Sequence, residues 1–146
     1  MIADHAAIES LIPHKGAMCL LDGIEYHDGQ RIICSTMQHR STSNPLRTRA
    51  GLSSLHAIEF AAQAVALHGG LLATAQARPP TGLLLSARDC RFNARRIDDI
   101  EGPLIIEAAQ VGNNDETLVY RFKVTAHDVL LAEGRVTVLL KKGAAP

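Results

Sequence analysis

The stretch from Ala50 to Leu72, AGLSSLHAIEFAAQAVALHGGLL, reads as one long helix that is apolar most of the way round and carries a single carboxylate, Glu59. Leu55, Ile58, Ala62 and Val65 recur at helical spacing, and so do Phe60, Ala64 and Leu67. A helix of that kind is buried by something larger that wraps it, and the flanking sequence looks like β-strand. Ser53 or Ser54 can cap its start through a hydroxyl, and Gly69-Gly70 weakens or ends it.

Glu59 is not the partner of a capping box, since His56 stands three residues before it. An ionised carboxylate in an apolar setting costs several kcal/mol unless it is paired, so its pKa tends to rise. Two readings follow. Glu59 is either a helix-start acid favoured by the dipole and partly wet at an interface, or a general acid held in a pocket. Gln63 lies one turn on, where its amide could orient the carboxylate.

Around this helix the chain alternates strand and turn signals. Ile2–Leu11 suits a short helical turn that Pro13 stops. Met18–Tyr26 and Arg31–His39 read as a hairpin about His27-Asp28-Gly29-Gln30. Arg40–Arg49 and Ala75–Thr81 are loops, and Lys141–Pro146 is a frayed tail. Leu83–Phe92, Leu104–Val111, Thr117–Ala126 and Val129–Leu140 are four more strands, with turns at Gly102-Pro103, Gly112–Asp115 and His127-Asp128. Strands on both sides of one helix imply a single α+β domain over residues 1–146, a mostly antiparallel sheet curled about the central helix. An exposed edge strand would be covered by a second copy, so a homodimer is expected.

Composition excludes several classes. With 146 residues, a formal net charge of zero and no basic run, there is no footprint for nucleic acid. Cys19, Cys34 and Cys90 are widely spaced and odd in number, which argues against a disulfide framework or a zinc site and for reduced thiols in the cytoplasm. The N-terminus lacks the apolar run of a secretory signal, and polar residues interrupt the best candidate for a membrane span. Neither a metal nor a membrane is therefore expected.

The residues LIPHKGAMCLLD (Leu11–Asp22) followed by IEFAAQA (Ile58–Ala64) resemble the hot-dog-fold 3-hydroxyacyl-[acyl carrier protein] dehydratases, closest to the divergent branch of aryl-polyene and related clusters. The layout is similar over nearly the whole chain. The resemblance implies a hot-dog dimer, a site between protomers and a tunnel for an acyl-pantetheine arm, with no cofactor beyond the phosphopantetheine that the substrate brings. It departs at one place. The family's catalytic histidine lies in a Gly-His-Phe-Pro loop before the central helix. This chain has Asn44-Pro45-Leu46-Arg47-Thr48-Arg49-Ala50-Gly51 there, and Ser53-Ser54 replaces a Pro-Gly. Glu59 and Gln63 carry over; the loop histidine does not.

Removing water from a 3-hydroxyacyl thioester to give a trans-2-enoyl thioester needs a base for the α-proton, an acid for the hydroxyl and donors for the thioester oxygen. The expected assignment is His14 as base, from the Pro-His motif, and Glu59 as acid. Gln63 would orient it, and the backbone N–H groups of Ser54 and Leu55 would serve as oxyanion donors. His56, one turn before Glu59, is the alternative base. His68 reads as a satisfied core or interface residue, His5, His27, His39 and His127 carry no role, and Asp22 caps or pins the first hairpin. Carrier proteins are acidic and present a phosphate, so Arg47, Arg49, Arg91 and Arg95 are docking candidates. Strict alternation along SARDCRFNARR sets Arg91 and Arg88 on opposite faces. Two other functions stay open: a hot-dog acyl thioesterase using Glu59 on water, and a non-catalytic partner in a heteromer with a second dehydratase.

Overall fold

A computed structural model describes residues 1–73, 81–113 and 117–141. Of the expected loop Ala75–Thr81, turn Gly112–Asp115 and tail Lys141–Pro146, residues 75–80, 114–115 and 142–146 lie outside the described residues, while Thr81, Gly112, Asn113 and Lys141 belong to strands. The elements are β1 (Ala3–Asp4), α1 (His5–Glu9), β2 (Gly23–His27), β3 (Arg31–Thr36), α2 (Ala57–Ala73), β4 (Thr81–Phe92), β5 (Leu104–Asn113), β6 (Thr117–Ala126) and β7 (Val129–Lys141). The strands form one antiparallel sheet in the order β1-β2-β3-β5-β6-β7-β4, with α2 packed against β3, β4, β5 and β6. This is the expected sheet around one helix.

Period-two patterning sets the faces. Ile32, Ala108, Phe122 and Gly134 are cross-strand partners in one row, and Cys34, Ile106, Val124 and Ala132 in another; all are buried on the inner face of the sheet. From the helix, Phe60, Ala61, Ala64, Val65 and Leu67 meet this face. Burial holds the Cys34 thiol up at about 12, and all the cysteines are free, which suits small apolar core residues.

Several boundaries differ from the sequence expectation, and within the expected helical turn Ile2–Leu11 the residues Ala3–Asp4 form a strand. The helix begins at Ala57, after a 3₁₀ turn at Ser54–His56, rather than at Ala50. Residues 50–53 are drawn instead into a bridge between Ser53 and Arg96 and a bond from Leu52 N–H to Asp98, long-range partners that periodicity cannot reveal. Strand β2 starts at Gly23, not Met18, because Gly16–Met18 is a 3₁₀ turn pinned to the helix. Strand β3 stops at Thr36, where Asp22 accepts bonds from Met37 N–H (2.6 Å) and the Gln38 amide (2.9 Å), as its pinning role predicts. Gly69-Gly70 does not end α2. A Cβ on Gly70 would lie 2.9 Å from the Leu11 carbonyl oxygen, so glycine there lets the chain after α1 lie against the helix.

Candidate active site

The segment Leu11–Leu20 runs alongside α2 and is held at two points. Leu11 abuts Gly70, and Gln63 binds both Leu20 N–H through Oε1 (2.8 Å) and the Met18 carbonyl through Nε2 (2.7 Å). These anchors are about 10 Å apart along the helix axis. His14 lies on the loop between them, half-buried, with Nδ1 buried and without a hydrogen-bond partner. Glu59 stands one turn, about 6 Å, beyond the Gln63 anchor.

Glu59 is exposed on the protomer, so the burial expected for a pocket acid is not met within one chain. The apolar wrapping is one-sided: Leu55, one turn before Glu59, is 61 % exposed, and Ile58, Ala62 and Ala66 are only half-buried. Among the described residues, the side chains of His14, His56 and Glu59 make no hydrogen bond or ion pair with one another or with any other group. One protomer does not bring the three together.

Two further expectations are corrected. Gln63 does not orient Glu59, because both ends of its buried amide hold the Met18–Leu20 backbone. The Ser54 and Leu55 amides are already used: Ser54 N–H donates to the Arg95 carbonyl (3.0 Å) and Leu55 N–H to Ser53 Oγ (3.2 Å). Ser53 is the cap, as its hydroxyl suggested, and capping removes a donor from the candidate oxyanion set.

The arginines before the helix are organised by Asp98. Its buried carboxylate receives Arg96 through Nε (3.1 Å) and Nη2 (2.6 Å), the Leu52 N–H (2.8 Å) and, at 3.7 Å, Arg47 Nη2. The Arg96 guanidinium holds that carboxyl far below the usual range, so it stays ionised. Gly51, with φ +96, fits because a Cβ would lie 2.6 Å from this carboxylate. Arg47 is therefore partly committed, while Arg49 and Arg95 are exposed beside it. Arg91 sits apart from them, on β4.

His68 is the satisfied core residue expected of it. Its Nε2–H donates to the Asp28 carbonyl (2.7 Å), and Nδ1 accepts from Tyr120 O–H (2.6 Å). Burial lowers the His68 pKa and pushes Tyr120 up to about 12. His5 and His127 bind the Leu21 and Glu101 carbonyls. His39 is not the bland turn residue its position implied. It is fully buried, donates Nε2–H to the Ile100 carbonyl (3.0 Å) and leaves Nδ1 without a partner, and burial lowers its pKa. No sequence signal separated it from the surface histidines.

An antiparallel sheet packed on one long helix is the hot-dog fold. The chain is similar to the dehydratase heterocomplex ApeI:P from Xenorhabdus doucetiae, with TM-score 0.82, 19 % identity, and 93 % of this chain and 91 % of that one covered. It is also similar to a thioesterase variant from Pseudomonas aeruginosa (TM-score 0.66, 14 % identity, 97 % and 96 % covered) and to AziG of S. sahachiroi (TM-score 0.62, 17 % identity, 82 % and 90 % covered). No curated protein matches the sequence. The ApeP-like family model, described as ApeP dehydratase, matches residues 6–145, and the chain belongs to that family. It is a dehydratase, a hydro-lyase. Among the described residues no helix is long and apolar enough to cross a membrane.

Proposed function

We propose that the chain dehydrates 3-hydroxyacyl thioesters carried on acyl carrier protein to trans-2-enoyl thioesters, in cytoplasmic fatty-acid or polyene-type biosynthesis. The observation that carries this is the state of Glu59. It is the acid of the Glu-x-x-Ala-Gln motif, it lies two residues into the central helix, and it has no partner among the described residues. His14 takes the α-proton, Glu59 protonates the departing 3-hydroxyl, and water leaves as the C2–C3 double bond forms. No cofactor is needed beyond the substrate's phosphopantetheine arm. Arg47, Arg49, Arg91 and Arg95 contact the carrier.

His14 and Glu59 are separated along one helix, so in this reading the site closes across a subunit interface that also buries Leu55. A second copy can supply the facing base. So can a different dehydratase subunit, which the missing loop histidine favours: Glu59 then serves a base that its own chain lacks.

The test is enoyl absorbance with a carrier-bound 3-hydroxyacyl substrate for wild type, Glu59→Gln, His14→Ala and His56→Ala, each alone and mixed with a complete dehydratase. Losses of at least about a hundredfold in both Glu59→Gln and His14→Ala support the assignment. A dead His56→Ala beside an active His14→Ala moves the base to the helix. Turnover only in the mixture, lost with Glu59→Gln but kept with His14→Ala, assigns the base to the partner. Release of free thiol without an enoyl product identifies a thioesterase instead.

A further inference from the structure

The outer face of the sheet carries two charged rows built in opposite ways. Across β5, β6, β7 and β4, Glu107, Lys123, Glu133 and Arg91 face one another in turn, so each charge has an opposite neighbour. In the adjacent row Arg121, Arg135 and Arg88 stand directly opposite one another on β6, β7 and β4, all of them exposed. Like charges in that register are unfavourable. None of the three arginines makes an ion pair among the described residues. Arg31, at the far end of the same row, is already committed: its guanidinium lies 3.3 Å from Glu107 and 4.9 Å over the Tyr26 ring.

A bulge in β4 assembles this surface. Pairing passes from Arg88↔Arg135 to Arg91↔Glu133, which spends one extra residue on β4, and Asp89 takes φ 52 within it. Arg88 and Arg91 therefore share the outer face, against the opposite faces that strict alternation gives them. Cys90 is turned inward, where it occupies the space that a Cβ on Gly134 would need. Beyond Phe92 the same chain leads to Arg95 and Arg96 at the start of the helix. From Arg88 to Arg95 is at most about 25 Å of extended chain. One partner's share of an ordinary interface, about 800 Å², is roughly 30 Å across, so one small domain can cover both groups.

We propose that the Arg88–Arg135–Arg121 row is the docking surface for the acidic acyl carrier protein, seated on the outer face of β4, β6 and β7 and reaching Arg95 at the helix start. This rests on the carrier-bound substrate proposed above. The row's uncompensated charge is the complement of an acidic domain, and its end on the sheet's edge strand leads toward Glu59.

The experiment titrates fluorescently labelled acyl carrier protein against wild type, Arg121→Glu/Arg135→Glu and Arg121→Lys/Arg135→Lys. Titrations are run at about 50 mM and about 300 mM salt, where screening differs more than twofold. Each protein is also assayed on the same acyl group carried by carrier protein and by free pantetheine. The expected result is at least about tenfold weaker binding and a raised KM for carrier-bound substrate in the charge-reversed variant at low salt. Its kcat and its turnover of the pantetheine thioester stay unchanged, and the lysine variant recovers most of the binding. Wild-type binding by the reversed variant overturns the proposal, as does an equal loss on free pantetheine. If wild type itself ignores the carrier while turning over the pantetheine thioester, the carrier-bound reading fails as well.

Discussion

The two halves of α2 carry polar side chains in opposite states. Toward its C-terminus, Gln63 and His68 are buried and each uses both hydrogen-bonding ends, on Leu20 and Met18 and on Tyr120 and Asp28. At its start, and in the turn just before it, the side chains of Glu59 and His56 make no hydrogen bond among the described residues. Buried polar groups left unpaired cost about 1–3 kcal/mol each, so the core half has to be satisfied. Glu59 escapes that cost only because it is exposed. The difference separates residues that hold the helix in the sheet from one that the fold leaves open.

Substitutions at the two halves should therefore fail in different ways. Glu59→Gln should lower kcat by at least about a hundredfold while leaving the urea midpoint within about 0.5 kcal/mol of wild type. A large stability loss there would break the contrast. Gln63→Ala should cost about 2–4 kcal/mol in urea unfolding, since it strands a backbone N–H and a carbonyl next to the loop that carries His14. Unchanged stability would show that Met18–Leu20 is held by other contacts.

The pH response sharpens the same contrast. His68 and His39 have pKa values lowered by burial, so the unfolded chain binds more protons than the native one as pH falls through about 6.5. Stability from these sites is complete above that value and declines below it, toward the native pKa values. Urea midpoints at pH 7.5, 6 and 5 should fall in that order, and His68→Gln should flatten the decline. A midpoint that rises on acidification would contradict the neutral, bonded state of His68.

The smallest effects come from adjacent glycines. A Cβ on Gly69 meets nothing within 4 Å, so Gly69→Ala should stabilise the helix by about 0.5–1 kcal/mol. Gly70→Ala should lose that gain and more against the Leu11 carbonyl. Equal thermal shifts in the two variants would show that the Leu11 segment does not press on the helix.

Much of the fold was legible in the sequence because it rests on local pattern. The apolar run of α2 and the alternation of β5 to β7 each express a period within a few residues, and the Asp28-Gly29 turn is closed locally by the Asp28 carboxylate, which accepts from the Gln30 and Arg31 N–H groups. The bulge at Asp89 was not legible, since an extra residue in a strand shows only against its partner β7. The site was half legible. Glu59 stood out as a lone acid in an apolar helix, and the cap was narrowed to Ser53 or Ser54.

The amino-acid order by itself determined one sheet about one helix, with the Pro-His and Glu-x-x-Ala-Gln motifs at defined places along it. Only the tertiary structure decided that Gln63 is a structural clamp, that the Ser54 and Leu55 amides are occupied, that Glu59 is open, and that Arg88, Arg135 and Arg121 fall in line. The physical reason is common to all four. Each depends on which distant segment comes to lie against the residue, and that is set by how the whole core packs rather than by any neighbour in sequence.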